Sequence, residues 1–96
     1  MPPPFGNRII DRIALVMEPG KWYGRDDLRR AVGRGQDGRW KVREMFVAGL
    51  LARAQNPAWR GTVNPWEAMA GLAEPKWLYR LTPMGEALRA AVSLLQ

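Results

Sequence analysis

Arginine and lysine are the residues of this chain best suited to bind a ligand, because Cys and His, which most catalytic and metal sites need, are missing. The 96 residues include no Cys and no His. Disulfides, thiolate nucleophiles and the commonest metal ligands and general bases are therefore excluded. No two carboxylates form a recognisable catalytic pair, and adjacent Asp26 and Asp27 suit the first turn of a helix. We expect no enzymatic activity, no metal site and no cofactor.

The cations are unevenly distributed along the chain. It holds 15 basic and 9 acidic residues, a formal net charge of +6. Residues 21–43 alone carry eight basic and three acidic side chains, a net charge of +5. Twelve of the 15 basic residues are Arg, whose planar guanidinium matches phosphate groups and guanine edges. This basic segment favours a polyanionic partner, most often nucleic acid, although a merely solvated charged face would have the same composition.

The elements that must position these cations can be predicted from the apolar spacing. Steps of three and four residues predict four helices, at 8–18, 25–32, 38–50 and 83–95. Alternation predicts a strand at 76–82, and a second strand follows the third helix near 50–54. A short extended segment is expected at 21–23, and a short helix at 65–73 within the long connection between the strands.

Capping residues mark most of these helix ends. Asn7 and Asp37 are expected to begin the first and third helices, and Thr82-Pro83 the last. Gly24 and Gly33 bound the second helix. We expect a flexible arm over residues 1–7, a single domain over 8–96 and a salt bridge between Asp26 and Arg30.

The third helix has two different faces. At 100° per residue, Val42, Met45, Phe46 and Gly49 form one stripe, which should face the core. The opposite, outer stripe consists of four residues, Trp40, Arg43, Glu44 and Val47. In the second helix, Leu28, Ala31 and Val32 should face inward.

Two stretches resemble a known family. One stretch is similar to the passage from a recognition helix into a wing: Val47-Ala48-Gly49-Leu50-Leu51-Ala52-Arg53. The other is similar to the passage from the second wing strand into the following helix: Tyr79-Arg80-Leu81-Thr82-Pro83-Met84-Gly85-Glu86-Ala87-Leu88. In this order the chain resembles the winged helix-turn-helix regulators of the PadR and MarR types. The resemblance implies a mainly α fold with a small β-hairpin wing: a three-helix core, a wing with an elongated tip and a C-terminal helix.

The resemblance also implies a function. The third helix (38–50) would enter the major groove of double-stranded DNA, with the wing on the backbone. Arg43 would read guanine, and the phosphate backbone would be held by Arg39, Lys41, Arg34 and Arg25. Arg60 in the wing would touch phosphate or the minor groove. Trp40 would pack on sugars or thymine methyl groups, cover the wing or form a protein interface. The expected DNA-binding residues are Arg25, Arg34, Arg39, Trp40, Lys41, Arg43 and Arg60. A homodimer is expected, with Leu88, Val92 and Leu95 of the last helix at its interface.

Three further points follow from the sequence. The alternative function is binding to another protein, without DNA binding, by a winged helix domain, since Trp and Arg side chains such as Trp40 also anchor protein interfaces. Trp22, Trp59, Trp66 and Trp77 are expected in the core or wing packing, ahead of a ligand pocket at the last three. The apolar runs are too short to span a bilayer, so we expect a cytoplasmic protein without membrane contact. The sequence does not distinguish a repressor from an activator, or name an effector.

Overall fold

The computed structural model describes residues 4–33, 36–61, 64–69 and 74–96. Within these ranges the chain forms five helices and three strands. In chain order they are α1 (Ile9–Val16), β1 (Tyr23–Gly24), α2 (Arg25–Val32), α3 (Gln36–Val47), β2 (Leu51–Gln55), α4 (Pro65–Met69), β3 (Trp77–Leu81) and α5 (Pro83–Ser93). The sequence predicted every element, but it placed the end of α1 at 18, of α3 at 50 and of α5 at 95; the predicted end of α4, at 73, lies outside the described residues.

The three strands form one antiparallel sheet in the order β1-β3-β2. In β2, Leu51 pairs with Leu81 of β3, and Gln55 pairs with Trp77. The two-residue strand β1 pairs Tyr23 with Tyr79 on the other edge of β3. The protein is thus a small domain in which helices pack on a three-stranded antiparallel sheet. No helix of the described residues is both long and apolar enough to cross a bilayer.

The hydrophobic core lies between α1, α2, α3 and one face of the sheet. Its members alternate along the strands and recur at helical spacing along the helices, because each element buries only one side. The buried residues of this cluster are Ile13, Ala14, Met17, Leu28, Val42, Met45, Leu51, Tyr79 and Leu81. The inward prediction is confirmed for Leu28. It is wrong for Ala31, which is exposed near the end of α2.

A buried carboxylate fixes the start of α1. Asp11 is 0% exposed. Its Oδ2 accepts hydrogen bonds from the backbone N–H of Gly6 at 2.8 Å and of Arg8 at 3.1 Å. The Arg8 guanidinium donates to both carboxylate oxygens, each at 2.8 Å. The helix therefore has Arg8 as its N-cap residue, and not Asn7 as predicted.

The same cluster attaches the preceding residues to the domain. Gly6 is buried, and Asn7 donates its backbone N–H to the carbonyl of Pro4 at 3.0 Å. The Arg8 guanidinium lies 5.0 Å from the centre of the Phe5 ring. Residues 4–7 thus form a turn fixed to α1, whereas the sequence predicted a flexible arm through residue 7; residues 1–3 lie outside the described part.

The pKa of Asp11 reflects these contacts. Burial by itself would raise the pKa of this carboxyl group, because the charged form loses its hydration. The Arg8 guanidinium and the two backbone N–H groups outweigh that cost and hold the pKa below its ordinary value. The carboxylate is therefore ionised at neutral pH, and because its pKa is lowered on folding, its ionised form stabilises the folded state.

We predict that Asp11→Asn lowers the free energy of unfolding by about 2–4 kcal/mol at pH 7, because it leaves Arg8 and two N–H groups without their charged acceptor. The stability from Asp11 is fully present above its unfolded pKa, near 3.9. It is lost as pH falls through the lower folded pKa. Urea unfolding at pH 7 and at pH 3 measures both effects. Asp26→Asn, an exposed carboxylate 3.6 Å from Arg29, is the control; equal losses in the two variants would contradict the prediction.

The ends of α2 are as the sequence predicted. Gly24 is the N-cap residue, and its N–H donates to Asp27 at 3.2 Å. At the other end Gly33 adopts a left-handed conformation with φ +65°, which favours glycine. The ion pairs differ from the prediction. Asp26 pairs with Arg29 at 3.6 Å and Asp27 with Arg30 at 2.7 Å, so the contacts follow i,i+3 spacing and the predicted Asp26–Arg30 bridge is wrong.

The turn after α3 is fixed by the start of α5. Gly49 lies after the end of α3 and has φ +83°. The prediction that Gly49 belongs to the inward stripe of the helix is therefore wrong. Thr82 donates its hydroxyl to the Gly49 carbonyl at 2.6 Å and its N–H to the Leu50 carbonyl at 3.1 Å. The same hydroxyl accepts from the N–H of Gly85 at 3.1 Å and caps α5. Gly85 lies so close to the Leu50 carbonyl that a Cβ there would overlap it.

We predict that Gly85→Ala lowers the free energy of unfolding by about 1–3 kcal/mol, even though Ala has the higher helix propensity. The added methyl group meets backbone, which cannot rotate away, so α5 or the turn must shift. Chemical denaturation followed by circular dichroism measures the change. Ser93→Ala, at an exposed position of the same helix, should stay within about 0.5 kcal/mol. A Gly85→Ala protein as stable as this control would refute the close approach.

Candidate nucleic-acid interface

The two faces of α3 lie as the sequence predicted. Val42 and Met45 are buried, and Phe46 is half-buried against the core. The outer stripe faces solvent. Trp40 is 63% exposed and Val47 is 75% exposed, and the two charged members between them are exposed as well. An exposed helix face of this length is a surface that a partner can reach without any rearrangement of the core.

The charges on α3 are not equivalent. Lys41 donates to Glu44 at 3.1 Å, so these two opposite charges largely offset each other. Arg43 has no carboxylate within 4.0 Å among the residues that the structure describes. Its guanidinium keeps five donors in a fixed planar arrangement. With the charges of Lys41 and Glu44 offset, Arg43 is the charge of the outer stripe that lacks an acidic partner among the described residues.

A shallow, open depression of about 400 Å³ lies along the outer stripe. Its lining is mainly apolar, with one cation and one anion. The lining residues are Trp40, Arg43, Glu44, Val47 and Ala48. Such a surface offers a ligand both apolar contact and an accessible guanidinium group.

The other cations expected at this interface have different positions. Arg25 is exposed at the first residue of α2 and lines a small cleft beside Pro75 and Lys76 of the hairpin segment. Arg60 is exposed in the segment after β2. Neither has a carboxylate within 4.0 Å in the described ranges. Arg34 and the side chain of Arg39 lie outside the described part of the chain.

A contact between α3 and the sheet was not predicted. The guanidinium of Arg53, in β2, lies 4.4 Å from the centre of the Phe46 ring and 4.3 Å from that of Trp77. The Phe46 ring also meets Tyr79 edge-on, with 6.3 Å between centroids. Arg53 thus joins the end of α3 to both strands of the hairpin, and a guanidinium between two rings is attracted by both.

The same arrangement continues along the hairpin. The ammonium group of Lys76 lies 5.3 Å from the Trp77 ring and 4.9 Å from the Trp59 ring. We call these alternating residues the cation–π stack: Phe46, Arg53, Trp77, Lys76 and Trp59. Two hairpin cations are therefore held in place by rings instead of carboxylates, so their charge is not cancelled.

The tryptophans depart from the sequence prediction in part. None of the five is in the buried core. Trp22 is part-exposed with the Arg80 guanidinium 4.7 Å from its ring, and Trp66 is 77% exposed. Trp59 and Trp77 are half-buried in the cation–π stack, and Trp77 also packs against the hydrophobic core. The expected packing in the core or the hairpin is therefore confirmed for these two. Trp77 pairs with Gln55 at the end of the strand pairing, so it lies at the edge of the core.

The segment between the strands is anchored at its base. The buried Asn56 donates its backbone N–H to the carbonyl of Lys76 at 2.8 Å and its side-chain amide to that of Pro75 at 3.0 Å. Its side-chain oxygen accepts from the N–H of Ala58 at 3.0 Å. Asn56 therefore closes the hairpin and fixes where the long connection begins.

The residues expected at a dimer interface are not alike. Val92 is 0% exposed and is covered by the chain itself, so it is not available to a second copy. Leu88 is half-buried against the core. Leu95 is 56% exposed, although it packs on Gly6. The expectation is thus corrected for Val92, because α5 uses that position to pack on its own domain.

Comparison with models of protein families, with curated proteins and with solved structures finds no match. The resemblance to winged helix regulators is therefore a proposal, argued below from the arrangement of the residues.

We predict that Arg53→Met lowers the free energy of unfolding by about 1 kcal/mol, because it removes a cation held between two rings while keeping most of the aliphatic volume. Tryptophan fluorescence should also shift, since Trp77 loses a neighbour. Arg60→Met, an exposed cation without a ring contact in the described residues, is the control and should leave both unchanged. A stability loss no greater than that of the control would refute a stabilising role for the stack.

Proposed function

We propose that this protein is a winged helix-turn-helix regulator of transcription that binds double-stranded DNA. In this proposal α3 enters the major groove, and the hairpin of β2 and β3 is the wing on the DNA backbone. The observation that carries the proposal is the outer stripe, a fully accessible helix face centred on an arginine without an acidic partner in the described ranges.

The order of the elements supports the proposal. Two helices, α2 and α3, are joined by a short segment that contains Gly33; β2 follows α3, and its partner β3 comes after the long connection that holds α4. The short strand β1 completes the sheet on the far edge of β3. This is the order of elements that the resemblance implies. The turn bonds from Thr82 keep the end of α3 beside the start of the hairpin, as a protein with two adjacent DNA contacts would need.

The charges beside α3 also support the proposal. Arg25 and Lys76 line one cleft between the start of α2 and the hairpin, and Arg53 of β2 lies against Phe46 of α3. Cations beside a recognition helix hold phosphates and fix its orientation, whereas the helix itself reads base edges. Arg43 is the proposed guanine reader, since its fork matches the guanine O6 and N7 acceptors.

A homodimer is part of the proposal, because regulators of this kind bind two half-sites with two copies. Three apolar side chains at the two ends of α5 are available to a second copy: Met84, Leu94 and Leu95, which are 59%, 88% and 56% exposed.

Fluorescence anisotropy with a mixed-sequence duplex over a salt series tests the proposal. We predict that log K falls linearly with log salt concentration, with a slope of several units, because each neutralised phosphate releases counterions. Absence of binding at low salt would refute DNA binding.

Single substitutions test the proposed roles. On a site obtained by selection from random duplexes, Arg43→Ala should lose about 1–3 kcal/mol of discrimination against random DNA. Arg25→Ala should weaken all duplexes alike and reduce the salt slope by about one unit. Arg12→Ala, at an exposed position of α1, removes the same charge and should change binding least. Equal losses on selected and random DNA for Arg43→Ala would contradict its role as a base reader.

A module that binds another protein and no DNA is the second candidate. The exposure of Trp40 and Val47 and the acidic Glu44 on the outer stripe favour it, since aromatic residues anchor protein interfaces. The salt series separates the two candidate functions. A protein that binds DNA neutralises phosphates and gives a steep slope with duplex DNA, whereas a module that binds only proteins does not.

A further inference from the structure

We propose that the outer stripe reads pyrimidines that carry a C5-methyl group next to the guanine contacted by Arg43. This inference rests on the proposed function and deepens it. It assigns the two exposed apolar members, Trp40 and Val47, a role in sequence preference that a phosphate-binding or solvated helix face would not require.

The spacing along α3 supports this assignment. Trp40, Arg43 and Val47 follow one another at steps of three and four residues, so they form a single line along the helix. At 1.5 Å per residue, Trp40 and Val47 are about 10 Å apart along the axis. Stacked base pairs are about 3.4 Å apart, so this line spans about three base-pair steps with Arg43 between the apolar residues.

The chemistry of the major groove determines which bases suit such a line. Arginine pairs with guanine O6 and N7, and the apolar feature in this groove is the methyl group on C5 of thymine. A cytosine methylated at C5 presents the same group at the same place. The depression beside Arg43 is lined by Trp40, Val47 and Ala48, and a methyl group can be buried there without breaking any hydrogen bond.

Glu44 does not compete with this assignment. A free carboxylate in the groove would repel phosphates or accept a hydrogen bond from cytosine N4. Glu44 is instead held by Lys41 at 3.1 Å. The apolar residues and Arg43 therefore remain the groups on the outer stripe that can favour one base over another.

The test starts from the duplex selected by the full chain and replaces each thymine in turn with deoxyuridine, which removes only the methyl group. We expect about fourfold weaker binding for each thymine that the stripe reads. In parallel, each of those T·A pairs is replaced by C·G and by 5-methylcytosine·G. The methylated cytosine should bind about fourfold more tightly than the plain one. Comparing the thymine and 5-methylcytosine duplexes shows which source of the methyl group is preferred.

Variants assign the effect to the residues. Val47→Ala should abolish the deoxyuridine effect at the thymine that Val47 contacts and keep it at the thymine that Trp40 contacts. Trp40→Ala should do the reverse. Both residues are exposed, and circular dichroism will check that the variants are folded. Met69→Ala, which removes an apolar side chain 85% exposed on α4, should keep the full deoxyuridine effect. Binding that is indifferent to every methyl group would overturn this inference and leave DNA binding intact, whereas failure of the selection itself would refute the proposed function.

Discussion

The structure depends on how the turn after α3 is fixed to the beginning of α5. Thr82 binds the carbonyl groups of Gly49 and Leu50 and at the same time caps α5. Gly85 allows the close approach, because it has no Cβ to meet the Leu50 carbonyl. Since β2 starts directly after this turn and β3 ends directly before Thr82, the same few bonds fix α3, the hairpin and α5 relative to one another.

The features that could be predicted from the sequence are those with local causes. The bounds of α2 follow from glycines at both ends, and the start of α5 from a Thr-Pro pair. The two faces of α3 follow from the helical period, so the exposure of Trp40 and Val47 could be predicted without coordinates. The ends of α1, α3 and α5 were placed too late, because apolar residues continue past the last residue of each helix. After α3, for example, Gly49 adopts a left-handed conformation although apolar residues follow it.

The features that could not be predicted depend on burial and on contacts between residues far apart in the sequence. Asp11 looks like an ordinary acid in a first turn, and only the fold shows that Gly6 and Arg8 enclose it. The cation–π stack combines residues separated by up to 31 positions, from Phe46 to Trp77, and it depends on the exact strand register. Indole side chains are usually assigned to a core because of their apolar area. Here the core is filled by aliphatic residues and Tyr79, so the indoles lie at its margin, where cations reach them.

The distribution of charge explains how one small surface could combine attraction with selectivity. On the exposed sides of α2 the cations pair with neighbouring carboxylates, as Arg29 and Arg30 do, which weakens their attraction for phosphate. In the hairpin the cations rest on rings, which orient them without cancelling their charge. The outer stripe is different again, with one unpaired cation between apolar groups. In the proposed complex with DNA, long-range attraction to phosphate comes from the cations beside α3, and it falls with salt. Apolar contact on α3 releases no counterions, so in that complex the preference for one sequence over another should persist at ionic strengths where non-specific binding is lost.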